Sequence, residues 1–145
     1  MTDVTEVLDR VLHLAMLVQA DLGRFEQDQG LTTARVHLLW VLGETGPTTQ
    51  QSLARALDVT PRNVTGLVDG LVTSGHVSRE PHPGDRRATL VTPTPLGTAA
   101  IEDLVASHVD LAQRLFGDVS PQRLTTFAEV LDDTTRRFAR LMEEE

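Results

Sequence analysis

The sequence predicts a mainly α-helical chain carrying one small β-hairpin, and three observations lead there. Apolar residues recur at helical spacing through most of the 145 residues. A hydroxyl residue followed by proline, the pattern of an N-cap with Pro at the first helical position, occurs at Thr60-Pro61, Thr94-Pro95 and Ser120-Pro121. Only between Val77 and Val91 does the period change to that of strands, around a Pro-Gly turn.

The elements follow in order. Val4, Val7, Leu8, Val11, Leu12, Leu14, Ala15, Leu17, Val18 and Leu22 give a first helix to about Gln27, which Gly30 closes. A second begins with Thr32 or Thr33 as N-cap and runs through Val36, Leu39 and Trp40 to about Gly43. Gly46-Pro47 breaks the chain. Thr48 and Gln51 then stand as the two ends of a capping box, opening a short helix with Leu53, Ala54 and Leu57 on one face. From Thr60, Val64, Leu67, Val68, Leu71 and Val72 form a helical stripe that Gly75 ends. Two short helices with a tight joint outline a helix-turn-helix. Val77–Glu80 and Ala88–Val91 are the strands of the hairpin, with residues 81–85 as its turn. Helices opened by Thr94-Pro95 and Ser120-Pro121 complete the chain.

Composition narrows the function. The chain has no cysteine, which removes disulfides, thiol nucleophiles, thiol redox sensing and cysteine-ligated metals. No apolar run approaches the roughly 18 residues that span a bilayer, and the opening Met1-Thr2-Asp3-Val4-Thr5-Glu6 is acidic where a signal peptide is basic. A cytoplasmic protein with no membrane partner is expected. The net charge is −8, unfavourable for a partner made of phosphates, but it is unevenly spread. Residues 46–92 hold five arginines against four acids, whereas the rest of the chain holds eight against seventeen. The middle third is left free to approach a polyanion.

The helix after Thr60 turns Arg62, Asn63, Thr65, Gly66, Asp69, Gly70 and Thr73 outward. In a helix-turn-helix the second helix enters the major groove with its N-terminal residues at base edges. Arginine pairs bidentately with guanine and asparagine with adenine, so Arg62 and Asn63 suit that position. Gly66, lacking a side chain, lets the helix sit deeper. The hairpin tip Pro83-Gly84-Asp85-Arg86-Arg87 extends two guanidinium groups, which gain from the negative potential of a narrow minor groove. Asp85, two residues from Arg87, is expected to hold that side chain in a fixed fork.

In order and spacing, Leu53-Ala54-Arg55-Ala56-Leu57, Val64-Thr65-Gly66-Leu67-Val68-Asp69-Gly70-Leu71, Gly75-His76-Val77-Ser78-Arg79, Pro83-Gly84-Asp85-Arg86-Arg87-Ala88 and Val91 to Gly97 resemble the MarR (multiple antibiotic resistance regulator) family. The resemblance covers essentially the whole chain, and the aspartate-arginine-arginine tip is its most diagnostic part. It implies a winged helix-turn-helix with long N- and C-terminal dimerisation helices. Residues 1–145 form one domain in that reading, with a DNA-binding lobe at about 46–92 and dimerisation helices at about 2–30 and 94–145. It implies a homodimeric, ligand-responsive repressor on a pseudo-palindromic DNA operator, with no cofactor and no enzymatic activity. Arg87 is then the minor-groove residue and Asp85 its orienter. Thr48, Gln51, Thr60, Arg62, Asn63, Thr65, Gly66, Arg79 and Arg86 complete the DNA-contacting set. Two departures stand out: glycines at 66 and 70, where members often carry arginine, and Pro93, which is expected to shorten or bend the returning strand.

The resemblance also implies a small aromatic or anionic effector, for which His13, Met16, Leu17, His37 and Trp40 are the candidates. His37 and Trp40 are three residues apart and share a helix face. A core role for Trp40 is the competing reading. His76, Glu80 and His82 are the one close set of possible metal ligands, at a spacing that matches no standard site, so no metal is expected. The rival to a DNA-binding regulator is a winged-helix module that binds protein, or acts as an antirepressor, without touching DNA.

Overall fold

The computed structural model describes residues 1–144. Helix α1 spans Val4–Gln29, α2 Thr33–Thr45, α3 Gln50–Leu57, α4 Pro61–Thr73, α5 Pro95–Phe116 and α6 Pro121–Glu143. Strands β1 (Thr48–Thr49), β2 (Val77–His82) and β3 (Asp85–Pro93) form an antiparallel sheet in the order β1-β3-β2. The chain falls into two compact units, one from Met1 to Leu104 and the other from Val105 onward.

The first unit holds the core. Leu38, Leu39 and Leu42 of α2, Leu53 of α3, Val64, Val68 and Leu71 of α4, and Val77 and Val91 of the sheet are fully buried. Each such side chain contributes roughly 1.5–3 kcal/mol. The three from α4 therefore fix which face of that helix is turned outward. Leu22 and Phe25 of α1 pack against this cluster. The apolar residues of α1 from Val4 to Val18 are exposed. In the second unit Phe116 and Phe127 stack at a tilt with ring centroids 6.1 Å apart. No residue of α6 is buried, and Val130, Leu131, Phe138, Leu141 and Met142 stand exposed along it.

Most helix signals act as expected. Thr32, Thr60 and Ser120 cap α2, α4 and α6 by accepting the backbone N–H three residues on, and Gly30 closes α1 in the left-handed region. Helix α2 runs past Gly43 to Thr45 and stops at Gly46, whose φ of 74° suits glycine.

Three expectations are corrected. The cap of α3 is Thr49, whose hydroxyl accepts from Ser52 N–H at 3.2 Å. Thr48 is instead drawn into β1 opposite Val91, so the Thr48–Gln51 capping box does not form. Both hairpin strands are longer than expected, leaving Pro83 and Gly84 as the turn. Pro93 does not shorten the returning strand. It is the last residue of β3, opposite Val77, a terminal position where its missing N–H is tolerated.

Candidate nucleic-acid interface

The tight joint between α3 and α4 is made by Asp58, the only non-glycine with positive φ among the described residues (53°). Aspartate tolerates this region better than most residues. Its N–H and that of Val59 cap the end of α3 through the carbonyls of Arg55 and Ala54. Thr60-Pro61 then restarts the chain as α4. With Val64, Val68 and Leu71 inward, Arg62, Asn63, Thr65, Gly66, Asp69 and Thr73 are exposed, as the helical period requires. A Cβ added at Gly66 would meet nothing within 4 Å. Gly70 is half-buried rather than open, because the Arg35 guanidinium of α2 lies across it.

A polar chain ties this helix to its neighbours. Gln50 Nε2, in the first turn of α3, donates to Thr65 Oγ1 at 3.1 Å, and Thr65 in turn donates to the Pro61 carbonyl. Gln50 Oε1 accepts from Arg79 Nε at 3.2 Å, and Arg79 Nη2 bonds Asp69 Oδ1 at 2.5 Å. Arg79 thus fastens β2 along the Thr65–Asp69 edge of α4. Gln50, rather than Thr48 or Gln51, is the residue of this turn that links the elements. Gln51 is exposed, and Thr48 is half-buried in the sheet.

The hairpin tip is organised locally. Gly84 N–H donates to His82 Nδ1 at 3.0 Å. Arg87 N–H donates to Asp85 Oδ1 at 2.9 Å. The expected Asp85–Arg87 side-chain fork is absent among the described residues: the carboxylate takes the backbone amide, the closer donor at that spacing. Arg86 and Arg87 are exposed and join no ion pair among the described residues.

At the hairpin's other end His76 is buried, with Nδ1 2.7 Å from Ser74 Oγ. Burial lowers its pKa below the ordinary 6.5. Its carbonyl accepts from Thr94 N–H, and Thr94 Oγ1 donates to the Gly75 carbonyl at 2.5 Å. Glu80 accepts from Ser78 Oγ at 2.9 Å. His76, Glu80 and His82 therefore serve three separate local contacts. Of the effector candidates, His13, Met16, Leu17 and His37 are exposed and Trp40 is half-buried.

Residues 31–89 match the family model described as the MarR family. Over 87 residues, 60% of this chain, the sequence is 31% identical to the HTH-type transcriptional repressor YetL of Bacillus subtilis (strain 168). Residues 31–89 are a MarR-family domain. The match spans about half (52%) of that repressor's length. The crystal structure of the MarR family transcription regulator SP03579 superposes with a TM-score of 0.78 at 23% identity, covering 97% of this chain and 96% of that one. BpsR of Bordetella bronchiseptica, whose DNA binding is described as regulated by 6-hydroxynicotinic acid, is 27% identical, with a TM-score of 0.60 over 87% of this chain and 98% of its own. In this fold the hairpin is the wing and α4 is the second helix of the helix-turn-helix.

Proposed function

We propose that this MarR-family chain is a DNA-binding transcriptional regulator, a homodimer that seats α4 in the major groove and the wing in the adjacent minor groove of each operator half-site. The observation that carries the reading is the Arg79–Asp69–Gln50–Thr65 chain, which fastens the arginine-tipped wing beside the exposed face of α4. Arg62, Asn63 and Thr65 lead that face into base edges. Arg87 enters the minor groove, Asp85 shapes the tip, and Thr48, Gln51, Thr60, Arg79 and Arg86 line the flanking backbone. The exposed apolar stripes of α1 and of α6 are the surfaces a second copy would cover. Two recognition helices would then fall roughly 34–36 Å apart on an inverted repeat. Repression follows from the likeness to the repressor YetL, and a small aromatic or anionic effector from the likeness to BpsR, with His13, Met16, Leu17, His37 and Trp40 as its candidate contacts.

The test is selection of bound genomic fragments, followed by salt titration of the recovered duplex. Counterion release demands a steep loss of affinity as salt rises. Arg87→Ala weakens binding to every sequence, whereas Asn63→Ala relaxes preference at one position per half-site. A flat salt response, or no recovered fragment, would favour the protein-binding module instead.

A further inference from the structure

The outward face of α4 consists of neighbouring i,i+4 rows, and a guanidinium group from another element lies against each edge. Arg79 of β2 borders the row of Thr65 and Asp69, and Asp69 compensates its charge. Arg35 of α2 lies against Gly70, while Gly66, one turn earlier, is open. A Cβ built on Gly70 would lie 2.5 Å from Arg35 Nη2 and 2.6 Å from Nε and Cζ. Glycine at 70 is thus what allows the arginine to lie flat against the recognition helix. The Arg35 side chain is half-buried, yet its guanidinium makes no hydrogen bond or ion pair among the described residues. Both edges carry an arginine, and among the described residues only the one at Gly70 lacks a carboxylate partner.

The geometry points to Arg35 as a phosphate-binding residue that supplies, from α2, a cation the glycine row of α4 does not itself carry. This rests on the DNA-binding reading. A fixed arginine at the edge of the groove-facing helix meets sugar-phosphate rather than base edges, so it contributes affinity without sequence preference. One fewer phosphate contact in each protomer, two in the dimer, lowers the slope of log K against log salt by about 1.8, which is about sixtyfold in affinity at 0.1 M salt.

The experiment titrates the full chain with salt against two probes, poly(dI-dC) and the duplex recovered by selection. Arg35→Gln, which keeps the length and polarity, should weaken both by the same factor and reduce both slopes by about 1.8, two contacts per dimer. Arg35→Lys should keep the wild-type slope. The pair Arg35→Ala with Gly70→Arg should regain the slope that Arg35→Ala loses, by returning a cation to the same place. Thermal melts of each variant separate folding loss from charge loss, and a slope regained by the pair cannot come from packing alone. Wild-type slopes in Arg35→Gln would overturn the proposal while leaving the regulator reading intact. Loss confined to the selected duplex would also overturn it, by making Arg35 a base reader. If the wild-type chain bound neither probe, the regulator reading itself would fall, and this assignment with it.

Discussion

Gly97 sits where the wing base meets the start of α5, and replacing it by alanine tests how tightly that joint is built. An added Cβ would overlap the His76 carbonyl oxygen and crowd its carbon at 2.9 Å. Neither side can yield cheaply. Gly97 N–H donates to Thr94 Oγ1 at 3.1 Å, and Thr94 N–H donates to that same His76 oxygen at 3.1 Å. Relieving the overlap displaces backbone and stretches at least one of these bonds. Overpacking of this kind costs about 1–3 kcal/mol, and a lost hydrogen bond adds about 1 kcal/mol. The expected destabilisation of Gly97→Ala is thus roughly 2–4 kcal/mol, a fall in Tm of about 5–15 °C. Urea and thermal unfolding followed by circular dichroism, at one fixed protomer concentration, measure it. A variant within 0.5 kcal/mol of wild type would refute the reasoning, because the joint would then have to move freely.

Gly66→Ala should do the opposite to stability, raising it by about 0.5–1 kcal/mol since the position is helical and open, while weakening binding to the selected duplex. Unchanged DNA affinity would remove the close-approach role given to this glycine. Asp69→Asn should cost no more than about 1 kcal/mol, because the Arg79–Asp69 pair is largely exposed, and should raise affinity for poly(dI-dC) by taking a carboxylate off the groove-facing surface. A drop in that affinity would mean that holding Arg79 in place matters more than the charge removed. His76, buried with a lowered pKa, favours the neutral ring in the folded state. Its contribution to stability is complete above about pH 6.5, where the unfolded chain is also neutral, and declines as pH falls from there through the lower folded-state value. Urea midpoints between pH 5 and 8 should show this slope and lose it in His76→Gln; an identical slope in the variant would assign it elsewhere.

What was legible in the sequence is what short-range chemistry decides. Thr60-Pro61 and Ser120-Pro121 announce helix starts because the cap hydroxyl and the N–H it accepts are three residues apart. The inward stripe of Val64, Val68 and Leu71 is equally local, and with it most of the outward set from Arg62 to Thr73, although Val72 of the expected stripe is exposed and Gly70 of the outward set is half-buried. The misses share a different cause. Thr48 and Thr49 are equivalent caps by local rules, and the choice is made by β3, whose Val91 and Leu90 pair with them from some forty positions away. Gln50 matters through Arg79, 29 residues on, and Arg35 through Gly70, so neither leaves a periodic trace. Asp85 shows the converse: at a separation of two residues from Arg87 both the amide and the guanidinium are in reach, and the backbone bond prevails.

The charge balance illustrates why pairing, more than sum, decides what this surface can hold. A net −8 suggests repulsion from DNA, yet three of the lobe's four carboxylates are engaged at short range. Asp69 binds Arg79, Asp85 binds the Arg87 amide and Glu80 accepts from Ser78. Arg35, Arg62, Arg86 and Arg87 join no ion pair among the described residues. Screening at physiological salt confines a charge's influence to about 8 Å. Acids beyond that distance from a phosphate contribute little, whereas a guanidinium that touches it displaces a counterion outright. Of the two arginines flanking α4, the one paired to Asp69 has its charge already answered within the lobe. The uncompensated cations at the glycine row and at the wing tip are therefore what an incoming duplex would meet first, and their placement, not the total, sets the sign of the encounter.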